Sequence, residues 1–264
     1  MSFYVLTLLL GLSGRIVAQT TPAPPTCDNY MTCQAALNQE LNLTNPQPWF
    51  YPDEFRNKVE QFYQQQGVKG IRTVCKAFRH FKGCMGSEYS ACIAPSYFVT
   101  ASVPILQSYQ FVSIFNQMHY VCGGGMQIYL DNEDCMSTTW GGETGDLLNA
   151  CRFSFEQKSD KSPDNACFLA NTFTSCFEQQ FQQGCGLNAR DTQFWGCEYA
   201  RVEVFTRFPQ CEVSCVYEDF VFQYPMRVEL LASGVVKQGR HHIYSVSAGI
   251  KRPVVLTIAD LAPL

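Results

Sequence analysis

The stretch Asn165–Gly186, which reads NACFLANTFTSCFEQQFQQGCG, decides the fold class. Small and aromatic residues recur in it at helical spacing, at Ala166, Ala170, Phe173, Phe177 and Phe181. This period predicts an amphipathic helix over Asn165–Gln183 that Gly184 closes. Three cysteines lie along the helix and the turn after it, at Cys167, Cys176 and Cys185. The sequence therefore predicts helices that are tied to their neighbours by disulfides.

The same pattern predicts helices elsewhere in the chain. One begins at Pro52 and stops at Gly67, and a second spans Ile71–Phe81 with Cys75 on its apolar face. Further helices are expected at Ile105–Cys122, before the break Gly123-Gly124-Gly125, and at Asp146–Phe155 and Thr192–Phe205. The expected fold class is mainly α. The tail over 221–264 has no cysteine and reads as strand-like or irregular.

Fourteen cysteines, an even number, allow seven disulfides that use every thiol. They are Cys27, Cys33, Cys75, Cys84, Cys92, Cys122, Cys135, Cys151, Cys167, Cys176, Cys185, Cys197, Cys211 and Cys215. Their spacing contains no C-x-x-C pair of the kind that zinc sites use, and an even count in an oxidising compartment argues against a thiolate nucleophile. The pairing stays open at this stage.

A cut between Cys135 and Cys151 leaves seven cysteines on each side. Two closed domains cannot each use an odd number, so either a bridge joins the halves or the boundary lies elsewhere. We expect one continuous Cys-rich helical domain over 27–220.

The N-terminus predicts secretion. The run Phe3–Leu12 (FYVLTLLLGL) has the length of a signal-peptide core and is too short to span a bilayer. Cleavage after Ala18 would remove residues 1–18 and leave a Pro/Thr linker over 19–26 (QTTPAPPT). The mature protein is therefore expected to be secreted and extracellular, with no membrane span.

Composition excludes some classes of protein. A net charge of −4 over 264 residues gives no basic excess for nucleic acid, and an aromatic fraction of 14% is too high for a disordered chain. No catalytic, cofactor-binding or metal-binding residues are predicted, so we expect a protein that is not an enzyme and needs no cofactor.

Two weak motifs have plainer interpretations. Cys122-Gly-Gly-Gly resembles the calcium loop of secreted phospholipase A2, but no His in the chain is followed by Asp, so a helix break is expected. The acidic cluster Asp131, Glu133 and Asp134 lacks the glycine of an EF-hand loop and is expected to be a solvated loop.

Single histidines at His80 and His119 are expected to be packing or surface residues, and the adjacent pair at His241 and His242 is a poor metal site.

Glycosylation is expected at Asn42, in the sequon Asn42-Leu43-Thr44. Threonines among the prolines of the linker are weaker candidates for O-glycans, at Thr20, Thr21 and Thr26.

The cysteine layout resembles the nematode family called domain of unknown function 19, which is a secreted Cys-rich helical domain. The matching pattern begins with Cys27-x5-Cys33, Val74-Cys75, Cys84, Cys92 and Tyr120-Val121-Cys122, and it continues with Ala150-Cys151, Cys167, Cys176, Cys185-Gly186, Trp195 and Cys211. The chain departs from the pattern in its long Cys92–Cys122 interval and in its tail. A nematode chondroitin-proteoglycan type of Cys-rich domain is the second resemblance. The first family implies a disulfide-bonded extracellular domain and supplies no catalytic residues.

Three functions remain open at the level of sequence. The first is a non-enzymatic extracellular interaction, matrix or surface module whose partner is an unknown protein or glycan. The second is a carrier that binds a small apolar, lipid-like ligand between the aromatic-rich helices. This function requires a large apolar cavity between them. The third is a hydrolase, which requires a cluster of strongly perturbed titratable groups in a cleft.

Overall fold

The structure is a computed structural model that describes residues 26–216, except for the side chains of residues 65–67. This part of the chain contains helices and turns and no strand, so the prediction of a mainly α fold is confirmed. The predicted signal peptide, the linker up to Pro25 and the tail over 221–264 lie outside the described residues. The helices, in chain order, are α1 (Tyr30–Glu40), α2 (Pro52–Met85), α3 (Tyr89–Cys92), α4 (Pro95–Thr100), α5 (Ile105–Cys122), α6 (Met126–Asp131), α7 (Glu133–Thr139), α8 (Gly142–Lys161), α9 (Ala166–Cys185) and α10 (Arg190–Arg207).

The predicted stop at Gly67 is wrong, because α2 runs unbroken through it. Glycine weakens a helix by about 1 kcal/mol relative to alanine, which a well-packed helix tolerates. Buried Tyr63 and Ile71 anchor α2 in the core on either side of Gly67. At the weak point the backbone N–H of Val68 donates to Glu133 Oε1 of α7 at 3.2 Å. A side chain from another helix thus supports the backbone where the sequence predicts a break.

All fourteen cysteines lie within the described residues and form seven disulfides, which confirms disulfide bonding. Three bridges stay within residues 27–122, and four stay within residues 135–215. The pairs are Cys27–Cys92, Cys33–Cys84, Cys75–Cys122, Cys135–Cys185, Cys151–Cys176, Cys167–Cys211 and Cys197–Cys215.

The boundary between two sets of bridges therefore lies between Cys122 and Cys135, and no disulfide crosses it. We call residues 26–122 the N-terminal half and residues 135–216 the C-terminal half. Cys75 ties α2 to α5 within the first half, as its position on an apolar helix face predicts.

Each half is filled by aromatic rings. In the N-terminal half, Phe111 contacts Phe98 and Phe115 with ring centroids 4.9 and 5.1 Å apart. In the C-terminal half, Phe155 stacks on Phe173 at 4.8 Å. Ring pairs at these distances add a little to the larger stabilisation that comes from burying their surfaces.

The two halves also pack on each other without covalent help. Helix α10 packs along α5 as well as along α9, and α2 packs on α7. Trp195 of α10 is fully buried, and its Nε1–H donates to the Gly125 carbonyl at 2.9 Å, next to the connection between the halves. The structure is thus a pair of cross-linked helical halves that meet where α10 packs on α5 and α7 packs on α2, with side chains of α8 reaching α2.

Candidate functional site

Four buried ionisable side chains and one that is partly buried, Glu156, lie together at the interface between the halves. We call Arg56, Glu60, Arg152, Glu156 and Glu203 the charged cluster. Glu203 accepts hydrogen bonds from Arg56 at 3.0 Å and from Arg152 at 3.2 Å, both through its Oε2. Glu60 accepts from both terminal nitrogens of Arg152, at 2.7 and 3.3 Å. Since Arg56 belongs to the N-terminal half and Arg152 and Glu203 to the C-terminal half, the cluster joins the two.

Neutral polar groups complete the charged cluster. Gln117 of α5 donates to Glu203 Oε2 at 3.1 Å and to the Tyr199 carbonyl at 3.2 Å. The Tyr199 hydroxyl donates to Glu60 Oε1 at 3.0 Å. Arg56 also donates to Ser113 Oγ, whose own proton goes to the Gln110 carbonyl. These bonds run from α2 to α5, α8 and α10, so they fix the four helices in one arrangement.

The cluster carries an excess of one negative charge when all its members are ionised, because two guanidiniums face three carboxylates. Burial by itself would raise the pKa of Glu203, but Arg56 and Arg152 outweigh it and the pKa is lowered. Burial raises the pKa of Glu156, and Arg56 opposes this from 3.6 Å without overcoming it. Glu156 is therefore the carboxylate of the cluster whose ionised form is least favoured, and its Oε1 is buried without a hydrogen-bond partner.

This arrangement suits a structural role better than chemistry on a substrate. The side chains of Arg56, Arg152 and Glu203 are 2%, 6% and 6% exposed, so a substrate has no approach to them. The Ser113 hydroxyl is already engaged by Arg56 and Gln110. What the cluster does is hold charged groups of four helices against one another.

Sequence reasoning missed the charged cluster, although a signal was present. Arg56 and Glu60 are four residues apart on α2, and Arg152 and Glu156 repeat that spacing on α8. Such pairs normally describe a solvent-exposed helix face. Here each pair has a buried phenylalanine next to one of its members, Phe55 on α2 and Phe155 on α8. A charged pair that shares a helix face with buried aromatic residues is the signal in the sequence that indicates its burial.

The acidic cluster does not form the expected loop: Asp131 ends α6, Glu133 and Asp134 begin α7, and Asn132 alone lies between the two helices. An open depression of about 340 Å³ is lined by residues 130–135. Three of the polar side chains there have partners: Gln127 donates to Asp131 at 2.7 Å, Asn132 donates to Asp191 at 2.9 Å, and Glu133 accepts from Val68 N–H at 3.2 Å. Among the described residues, no three His, Cys, Asp or Glu side chains are arranged to hold a metal ion.

The remaining motif residues have packing roles. Cys122 is bonded to Cys75, and Gly125 lies against Trp195, so the glycine run after α5 serves the connection between the halves. Glu40 lies 2.9 Å from Nδ1 of His80, and the ring of His119 packs edge-on against Phe78. Burial, and then nearby Lys82, lower the pKa of His119. His241 and His242 lie outside the described residues.

Asn42 is exposed in the turn that follows α1, with a left-handed backbone conformation (φ 53°). Asparagine is one of the residues that adopts this conformation most readily. Its side chain is therefore accessible to a glycosyltransferase, as the sequon requires.

The aromatic stripes expected to line a ligand pocket are in contact with one another. Trp140 packs against Phe181 at 5.6 Å and Tyr199 at 5.2 Å, and Phe81 packs against Phe115 at 5.0 Å. Within residues 26–216 no helix has the length and apolar character needed to cross a membrane.

No family model matches this chain, and no curated protein and no solved structure matches it.

Proposed function

We propose that this protein is a secreted, non-enzymatic extracellular module that presents a rigid helical surface to a partner. The observation that carries the proposal is the disulfide set: every cysteine is bridged, and the seven bridges lie in residues 27–215. Bridges in this number form and persist in oxidising compartments and are rare in the cytosol. Such cross-links stabilise a folded extracellular domain, chiefly by restricting its unfolded chain.

The state of the buried polar groups supports the non-enzymatic part of the proposal. The perturbed carboxylates Glu156 and Glu203 lie inside the helix interface, where they pair with Arg56 and Arg152. A catalytic acid or base must reach the proton that it transfers. Glu203, which is 6% exposed and paired with two arginines, is therefore better placed to hold helices together than to exchange a proton with a substrate.

The resemblance to the nematode family called domain of unknown function 19 stays a prediction and agrees with the proposal. Its residues fall at structural positions: Cys75 and Cys122 form one bridge, and Trp195 fills the space between the halves. The bridges account for the spacing without any reference to a reaction.

The carrier alternative has less support, because the rings that would line a pocket fill the space between the helices. Phe177 packs on both Phe173 and Tyr199, at 5.0 and 6.1 Å. An apolar ligand would have to displace such contacts to enter.

One preparation tests these proposals together. The full chain is expressed in a eukaryotic secretory host and recovered from the medium. The expected product begins near Gln19, has no thiol that reacts with an alkylating agent, and shifts on a gel after treatment with an N-glycosidase. Retention of Met1, or two or more reactive thiols, would contradict secretion as a cross-linked module.

The partner is sought with the same folded protein as bait in extracellular fluid, and organic extraction of the bait tests for a bound lipid. Specific capture of a protein or glycan supports the module. A stoichiometric lipid in the extract would instead favour the carrier.

A further inference from the structure

Helix α2 carries a line of positive charge on its solvent face. Lys69, Arg72, Lys76 and Arg79, which we call the basic stripe, are all exposed. Their spacing of three, four and three residues confines them to an arc of about 80° on the helix. The stripe is about 15 Å long, given the 1.5 Å rise of each helical residue. The opposite face of α2 is buried, with Ile71, Val74 and Phe78 in the core.

The charges of the basic stripe are not neutralised within the described part of the chain. None of its four side chains forms an ion pair there, whereas the partly buried Arg207 pairs with Asp160. Two carboxylates of other helices that contact α2 bind residues next to the stripe and not its cations: Glu133 accepts from Val68 N–H, and Glu40 lies against His80.

Adjacent cations of the stripe are close enough for their potentials to add. Residues three and four apart on a helix have Cβ atoms about 5–6 Å apart, which is shorter than the Debye length of about 8 Å in physiological salt. Like charges at this spacing repel and destabilise a helix. The row is therefore an attractive site for an anion, and a bound anion would relieve the repulsion within it.

We propose that the basic stripe is a binding surface for a linear sulfated polysaccharide. This inference rests on the proposed extracellular function, since such polymers are components of the extracellular space. A straight row of cations matches the repeating anions of a linear chain, which can lie along α2 and contact all four side chains. Binding releases counterions from the polymer, so the affinity should fall steeply with salt.

The surroundings of the stripe favour a polysaccharide over a membrane or a nucleic acid. A helix that lies on a bilayer inserts an apolar face, but the apolar face of α2 is buried in the core. Proteins that bind single-stranded nucleic acid stack bases on exposed aromatic rings. None of the exposed large apolar or aromatic side chains in the described part of the chain lies on α2.

The experiment compares binding of the secreted full-length protein to sulfated heparin oligosaccharides and to their desulfated counterparts. The wild type should bind only the sulfated form. The variant Lys69→Gln/Lys76→Gln should bind roughly threefold or more weakly, and neutralising all four residues of the stripe should weaken binding roughly tenfold or more. A matched control, Lys158→Gln/Lys161→Gln, removes the same charge from the exposed end of α8 and should change the affinity less than about twofold.

Several results would overturn the inference. Equal losses in the stripe and control variants would mean that overall charge drives binding. Equal binding of desulfated oligosaccharide would exclude recognition of sulfate. Binding to phosphatidylserine vesicles or single-stranded DNA as tight as to the sulfated form, with the same dependence on the stripe, would assign the surface to a membrane or a nucleic acid.

The outcome is separable from that of the proposed function. If the protein is secreted with every cysteine bridged but does not bind heparin, the proposed extracellular role stands and the proposed polysaccharide site is wrong. A protein that stays inside the cell with free thiols loses the extracellular role, whatever it binds.

Discussion

The interiors of the two halves and the interface between them are built from different interactions. Inside each half, disulfides cross-link helices over a core of packed rings, as where Cys75–Cys122 joins α2 to α5. At the interface no disulfide crosses, and the buried contacts include the charged cluster. Noncovalent contacts alone therefore join the halves: Trp195 packs between them, and the hydrogen bonds of the charged cluster link α2 to α8 and α10.

The first test removes the covalent part of the contrast and should have the largest effect. Each disulfide contributes about 2–4 kcal/mol, chiefly by restricting the unfolded chain, although the contributions are not strictly additive. Their sum exceeds the roughly 5–15 kcal/mol net stability of a typical domain. Full reduction should therefore unfold the protein without a change of pH, which far-UV circular dichroism will show.

Peptide mapping of the unreduced protein checks the division itself. Every linked pair should join two cysteines from 27–122 or two from 135–215. A linked pair that crosses between the two ranges, or a helical spectrum that survives full reduction, would break the comparison.

The second test removes the centre of the interface. Glu203→Ala removes the acceptor that Arg56, Arg152 and Gln117 share. Arg152 keeps Glu60 and Arg56 keeps Glu156, so the expected loss is that of buried donors left unsatisfied, about 1–3 kcal/mol. Urea denaturation should show this loss, while Glu212→Ala, at an exposed position, should change the free energy of unfolding by less than about 0.5 kcal/mol. Equal stability of the two variants would mean that the charged cluster contributes nothing to joining the halves.

The same contrast explains which parts of the structure the sequence predicts. Helix α5 begins and ends where the apolar period and the glycine run place it, at Ile105 and Cys122. Such elements follow from local patterns of burial and from residues that break helices. The continuity of α2 through Gly67 does not, because it involves the core packing of Tyr63 and Ile71 and a bond to Glu133, which is distant in the sequence.

The charged cluster was out of reach of a local pattern for a related reason. An Arg–Glu pair four residues apart indicates an exposed helix face, and only the partner helices show that Arg56 and Glu60 are buried. Disulfide pairing has the same character, since an even number of cysteines predicts bridges but leaves their partners open. Short helices such as α4 and α6 were missed because six residues are too few to establish a period.

The third test probes how closely the connection between the halves is packed. A methyl group added at Gly125 would lie 2.7 Å from Trp195 Nε1, which is too close for two atoms that do not bond. Gly125→Ala should therefore lower the free energy of unfolding by about 1–3 kcal/mol, as overpacking generally does. The neighbouring Gly124 faces open space, so Gly124→Ala is a matched control that should be close to neutral in thermal denaturation. If the two variants have the same melting temperature, Trp195 can move aside and the interface is less closely packed than the geometry indicates.

The smallest effect concerns the surplus charge of the cluster and has a defined sign with pH. Burial raises the pKa of Glu156 above its unfolded value, so folding favours the protonated side chain. Its contribution to stability is present below about pH 4, near the unfolded pKa, and is lost as the pH rises through the folded pKa. Glu156→Gln keeps the shape of the protonated side chain and cannot ionise.

The variant should therefore match the wild type near pH 4 and become more stable than it, by on the order of 1 kcal/mol, at about pH 7 to 8. Glu203, whose pKa is lowered, has the opposite dependence, but it is present in both proteins and cancels in their difference. Urea midpoints across this range measure the effect, with Glu212→Gln as an exposed control. A variant that is less stable than the wild type at neutral pH would show that the attraction of Arg56, at 3.6 Å, outweighs the burial of Glu156. Ionised Glu156 would then not destabilise the folded state. The interface would still differ from the cross-linked interiors in being held by ion pairs, but these would not lower the free energy of unfolding.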